Sequence, residues 1–130
     1  MDACVFCKIV RGELPSYTIY EDELFLGFLD HRPRLFGHTL MIPKRHYQWV
    51  YEIPEFGAYW LAIRKVTYAI RSALKPAFVS YMTYGMHVPH AHVHLLPRSE
   101  GEIGIFPPIK QVSSEEMKRL SEKISQALAV

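Results

Sequence analysis

Cysteine is scarce in this chain: there are two, arranged as Cys4-x-x-Cys7. In a reducing compartment this spacing points to metal or redox chemistry ahead of a structural disulfide. A thioredoxin-like redox pair belongs at the start of a helix that follows a strand, and only three residues precede this one. A tetrahedral zinc site needs two further ligands from elsewhere in the chain. Long apolar runs are also missing, and no stretch approaches the roughly 20 residues that span a bilayer. Charge of one sign is not concentrated either. Fifteen Lys and Arg against 13 Asp and Glu leave a formal +2, and apart from Arg32, Arg34, Lys44 and Arg45 the basic residues are scattered. No membrane and no nucleic-acid polymer is therefore expected as a partner, although a local positive rim suits a small anion. The chain has no low-complexity segment, no internal repeat and no secretory pattern, since Lys8 and Arg11 interrupt the only early apolar run. A cytoplasmic protein is expected.

At 130 residues, with 49% hydrophobic and 22% charged residues, the chain is the size of one globular domain that buries about two-thirds of its unfolded surface. Segments Tyr17 to Tyr20, Leu24 to Leu29 and His38 to Pro43 are β-prone, with Glu21-Asp22-Glu23 reading as a hairpin turn. A helix is predicted over Glu55 to Leu74. Its stripe is Phe56, Trp60, Ile63, Thr67, Ile70 and Leu74, bounded by Pro54 and Pro76. Trp49 and Tyr51, just before it, read as packing residues. Phe78 to Thr83 and His90 to Pro97 read as strands, and Gly101 to Pro108 as irregular. A last helix starts at Ser113 or Ser114 with Glu115 and Glu116 in its first turn and Met117, Leu120, Ile124 and Leu128 as its apolar face. The order β-β-β-α-β-β-α describes an α+β fold, a mostly antiparallel five-stranded sheet with one long helix and a C-terminal helix. The expected domain is 1–130, with 1–112 as core and 113–130 as the C-terminal helix.

The densest chemistry lies in His90-Ala91-His92-Val93-His94. Alternation at period two places three imidazoles on one face of a strand and Ala91, Val93 and Leu95 on the other. One histidine on a strand is ordinarily structural. Three in alternation concentrate titratable nitrogen where a core would not tolerate it without partners. A histidine-centred phosphate or acyl-transfer site and a metal site both fit.

The run His90 to Leu96, three histidines separated by single hydrophobic residues and followed by two more, resembles the signature of the histidine triad superfamily of nucleotide hydrolases and transferases. Gly37-His38-Thr39-Leu40-Met41-Ile42-Pro43-Lys44-Arg45-His46 is similar to that family's second landmark, and Phe6 to Pro15 followed by Tyr20-Glu21-Asp22 to a third. The three lie in the family's order over roughly residues 4 to 98. The resemblance implies His92 as a nucleophile that attacks the α-phosphate of a nucleoside phosphoramidate, acyl adenylate or dinucleoside polyphosphate. A nucleotidyl-histidine then hydrolyses to a nucleoside monophosphate. It further implies His94 as a donor to a phosphate oxygen, His90 and His38 as hydrogen-bond partners of the nucleophile's ring, and Asp30 on the ribose. Phe6, Ile9 and Leu40 would wall a purine. A structural zinc on Cys4, Cys7, His46 and His90 is implied as well, as is a homodimer through the long helix and a strand edge; the chemistry itself needs no cofactor.

The chain departs from that pattern ahead of the motif. Where many members carry Gly-Gln-Ser/Thr, this sequence reads Gly85-Met86-His87. Met86 cannot donate a hydrogen bond, and His87 replaces a hydroxyl, so His87 is the candidate donor to the leaving group. The loop before it, Tyr81 to Tyr84, looks short. A non-catalytic nucleotide-binding or scaffold protein, and a metal-handling protein, are the alternative readings.

Overall fold

In the computed structural model, which describes residues 3–101 and 104–128, the sheet grows from a tight turn. Asp22 Oδ1 accepts the backbone N–H groups of Leu24 and Phe25 at 2.7 and 2.8 Å, the local bonding that makes Asp a turn former. This turn joins β1 (Thr18–Glu21) to β2 (Phe25–Leu29), which pairs with β3 (Thr39–Pro43). Beyond α2 (Phe56–Leu74), β4 (Phe78–Met82) pairs with β5 (Val93–Arg98), and β5 lies beside β3. All pairs are antiparallel, in the order β1-β2-β3-β5-β4. With α3 (Ser114–Leu128) closing the chain, the fold is the expected α+β architecture.

Register assigns the two faces of the sheet. Met41 opposes Val93 and Thr39 opposes Leu95, and on that face α2 and α3 supply Tyr59, Ile63, Val66, Ile70, Leu120 and Ile124 to the main core. The Tyr59 hydroxyl donates to Met41 O at 2.6 Å and ties α2 to the middle of the sheet. Leu40 opposes both Phe28 and His94, and Leu26 opposes Ile42. Directly opposed residues share a face, so His94 belongs to the second face, where Phe6, Leu26, Phe28, Leu40 and Ile42 form a smaller cluster.

Four expectations change. The first is α1 (Val5–Val10), a six-residue helix absent from the sequence reading, with the Cys4 sulfur accepting Cys7 N–H at its start. The second concerns the long helix, whose core stripe is Tyr59, Ala62, Ile63, Val66, Ala69 and Ile70. Phe56, at 46% exposure, lies outside it, and Trp60 and Thr67 sit on the flank, at intermediate burial. The helix is apolar on more than one side, so a 3.6-residue period alone admits two stripes. The third is the motif strand, which begins at Val93 rather than His90. His90 N–H turns back to Val88 O and Ala91 N–H bonds Tyr47 O, so this stretch pairs outside the sheet. Tyr51 is exposed and stacked on Trp49 in a 3-10 turn, Val50–Glu52, rather than packed. In the predicted C-terminal helix Ser113 Oγ accepts Glu116 N–H at 3.1 Å, and Met117, Leu120 and Ile124 are buried. Residues 1, 2, 129 and 130, and Glu102 and Ile103 of the irregular stretch, lie outside the described residues.

Candidate active site

The loop between β2 and β3 brings Asp30, Arg34 and His38 beside β5. Gly37, at φ +84°, makes the bend just before His38, a conformation that favours glycine. Arg34 N–H donates to His38 Nδ1 at 3.0 Å. That bond fixes the tautomer: with Nδ1 accepting, His38 Nε2 carries the proton and donates to His94 Nδ1 at 2.9 Å. His94 in turn keeps its proton on Nε2, on the cleft side. Burial is the main cause that pushes His38 down to about 3 and His94 down to about 4, with the crowding of neighbouring imidazoles and the Arg34 guanidinium adding to it. Both rings are therefore neutral at physiological pH.

His92 is set differently. Its Nδ1–H donates to His90 O at 2.7 Å, which leaves Nε2 as a bare lone pair. Burial lowers its pKa, partly offset by that hydrogen bond and by Asp30. Of the two residues expected to hydrogen-bond the ring of His92, His90 does so through its backbone carbonyl, whereas His38 is corrected: it bonds His94 instead. Asp30 Oδ1 accepts Arg32 N–H at 2.9 Å, and Oδ2 lies 3.6 Å from His38 Nε2. Burial raises its pKa, against the pull of that N–H and of nearby positive charge.

Asp30, Arg34, His92 and His94 line a cleft of about 640 Å³, with His38 and His90 buried behind them, within the size range of sites for small organic ligands. Asp30, His92 and His94 form its polar side and Val5, Phe6, Leu40 and Ile109 an apolar one. His87 lies at its edge, its ring 5.5 Å from that of Tyr84. Of the expected nucleotide contacts, Ile9 is not on the cleft wall and packs instead against the cluster around Phe6 and Leu26. Several wall residues were not singled out as site residues by the sequence, Arg34 and Phe106 among them. Arg34 appeared only in the basic rim. Phe106, in the irregular stretch, offered no signal beyond being an aromatic residue before two prolines. Its ring meets His94 edge-on at 5.0 Å.

A second cluster lies on the other side of His90. Cys4 Sγ and Cys7 Sγ are 3.3 and 3.5 Å from His90 Nδ1, and Cys7 Sγ is 3.4 Å from His46 Nδ1. All four donor atoms fall within 4.8 Å of one another. Zinc–ligand bonds of about 2.0–2.3 Å in a tetrahedron require donors separated by roughly 3.3–3.8 Å, so the arrangement fits such an ion. His90 Nε2–H is committed to Pro43 O at 2.8 Å, which orients Nδ1 as the free lone pair, as outer hydrogen bonds do for metal-bound histidines. Burial, with Cys4 alongside, pushes the Cys7 thiol up to about 11. A cation would offset that cost. Asp30, His38 and His94 also converge, but their nitrogen lone pairs are taken up by the hydrogen-bond chain from Arg34.

Three comparisons bear on this geometry. The chain matches the family model described as HIT domain over residues 11–101. It is 38% identical over 125 residues to a HIT-like protein of Methanocaldococcus jannaschii, covering 88% of this chain and 95% of that protein. It is 34% identical over 131 residues to the adenosine 5'-monophosphoramidase of Schizosaccharomyces pombe, covering 97% and 98%. A crystal structure of a zinc-bound histidine triad family protein from Mycobacterium smegmatis superposes with a TM-score of 0.82 at 34% identity, over 98% of this chain and 94% of that one.

Proposed function

The chain belongs to the histidine triad family, and on that premise we propose that it is a nucleotide hydrolase with His92 Nε2 as nucleophile. One observation carries the reading: His90 O accepts a hydrogen bond from His92 Nδ1–H, so a neutral imidazole presents its free Nε2 lone pair to a cleft of nucleotide size. Nε2 attacks the α-phosphorus, the bond to the leaving group breaks, and a nucleotidyl-histidine forms. Water then attacks the phosphorus, the P–N bond breaks, and a nucleoside monophosphate leaves. His94 Nε2–H donates to a non-bridging oxygen as charge develops there. His87, at the cleft edge, supplies the leaving group's proton.

Asp30 accepts from the ribose hydroxyls, and Phe6 and Leu40 enclose a purine with Val5 and Ile109. The relative from Schizosaccharomyces pombe makes nucleoside phosphoramidates the first substrates to try, ahead of dinucleoside polyphosphates. Cys4, Cys7, His46 and His90 would hold zinc in a structural site. The ion would neutralise the two thiolates and tie α1, which carries Phe6, to the residue whose carbonyl orients His92. A reducing cytoplasm keeps both cysteines available for it.

A homodimer is part of the same proposal. β4 is an edge strand. Beside it Phe56, Trp60 and Tyr81 make a continuous aromatic patch with ring separations of 6.1 and 5.7 Å. Trp60 Nε1 is buried without a hydrogen-bond partner among the described residues.

One feature favours a second reading, a nucleotide-binding protein without turnover: Met86, 60% exposed, stands where a donor to the leaving group would serve. Quenching the protein with an adenosine phosphoramidate and weighing it separates the two. An adenylyl adduct on His92, lost in His92→Asn, is the expected result. Binding of AMP with no adduct and no turnover would establish the second reading instead.

A further inference from the structure

The triad alone does not account for the way residues 104–107 are fastened over it. Arg98, 3% exposed, donates from Nη2 to Gly104 O at 2.7 Å and from Nη1 to Ile105 O at 3.4 Å. On the far side, Arg34 Nη1 donates to Pro107 O at 2.7 Å, and the same guanidinium lies 3.9 Å from the centroid of the Phe106 ring. Held from both sides, Phe106 meets the His94 ring edge-on at 5.0 Å and 75° and the His38 ring at 6.1 Å and 86°.

Among the described residues His94 has one side-chain hydrogen bond, its Nδ1 bond from His38. That bond fixes a direction in the ring and leaves the ring free to tilt about it, because the terminal torsion of histidine is broad. A donor aimed at a phosphoryl oxygen needs its plane fixed as well, since small errors of placement are costly in rate. The ring of Phe106 closes off the tilt on one side of His94, as the His92 ring, also 5.0 Å away and edge-on, does on another. We propose that Phe106 is a positioning residue for His94, braced by the Arg34 guanidinium, and that it acts on the chemical step. The inference rests on the reading of His94 as a phosphate donor. It gives Arg34 two roles: its backbone N–H sets the tautomer of the His38–His94 pair, and its side chain holds the aromatic ring that sets the plane.

The competing role for an aromatic residue in this cleft is a wall for the base, and kinetics separate the two. The full chain is compared with Phe106→Ala, Phe106→Tyr and Arg34→Met, each checked for an unchanged melting temperature. Arg34→Met keeps the backbone N–H and removes the brace, together with the positive charge beside His38, His94 and Asp30, so Phe106→Ala, which keeps that charge, carries the decision. With an adenosine phosphoramidate, Phe106→Ala should lower kcat by about ten- to a hundredfold while KM stays within about threefold. Phe106→Tyr should restore most of the rate, and Arg34→Met should fall between. In the ligand-free protein, imidazole spectra should show His94 as the Nε2–H tautomer in both the wild type and Phe106→Ala, because the bond from His38 is kept, while carbon relaxation of the His94 ring should report added motion in Phe106→Ala. A rise in KM with kcat intact would make Phe106 a base wall, and unchanged His94 relaxation with an unmoved kcat would remove the inference. Should the wild type turn over no nucleotide, the hydrolase reading fails, and the relaxation alone still decides whether Phe106 positions His94.

Discussion

His38 and His94 share a hydrogen bond of 2.9 Å and are almost completely withdrawn from water, so neither can take up a proton cheaply. Their pKa values fall to about 3 and about 4 in the folded chain, from an ordinary 6.5. Between those values and 6.5 the unfolded chain binds more protons than the native one, and stability therefore rises with pH. Acidification from pH 6.5 to about 4 should destabilise the protein, each of the two histidines adding a slope of at most about 1.4 kcal/mol per pH unit. Urea midpoints measured at pH 7, 6 and 5 check this, and His38→Gln should flatten the profile. The alternation of His90, His92 and His94 announced a site without any structure, because a period of two is a local property. Their individual roles were not legible. The tautomers are decided by Arg34 N–H and His90 O, backbone groups with no signature in residue type.

Among the elements, the hairpin and the last helix were readable from their ends: Asp22 for the β1–β2 turn and Ser113 for α3. Such caps act over three or four residues. The periodicity of the long helix is legible, but its core side is shifted by a fraction of a turn, because Phe56 is exposed and Trp60 lies on the flank, against Tyr81 of β4. The loop that delivers His38 depends on Gly37, whose φ is +84° and whose added Cβ would meet Leu74 Cδ1 and Pro97. Gly37→Ala should cost about 1–3 kcal/mol from backbone strain alone, more with the contact, read as a lower denaturation midpoint. The same variant should lower turnover, since it moves the residue that sets the His94 tautomer. The short α1 escaped detection because six residues carry too little periodicity, and its partners come from His46 and His90, far along the chain.

For the molecule as a whole, the Cys4–Cys7–His46–His90 cluster joins the N-terminus to the segments that precede α2 and β5. If zinc occupies it, chelation should lower the melting temperature, and added zinc should restore it. An ion present at a hundred times its Kd stabilises by about 2.7 kcal/mol. Cys7→Ser should abolish the response. Among the described residues no helix is long and apolar enough to cross a membrane. The aromatic patch of Phe56, Trp60 and Tyr81 carries the proposed dimer contact. Sedimentation of the wild type is expected to give a dimer. Phe56→Glu with Tyr81→Glu should give a folded monomer.

The amino-acid order by itself determined the two faces of the sheet, the succession of most strands and helices, and the presence of a histidine-rich site, since all of these follow from spacing along a strand or helix. Tertiary structure alone decided which nitrogen of each imidazole is free and which side of α2 is covered. It also decided that Phe106 and Arg34 belong to the cleft. Those outcomes depend on backbone carbonyls, N–H groups and ring faces brought together from as many as 73 positions apart, and a local pattern carries no record of partners met only after the chain has closed.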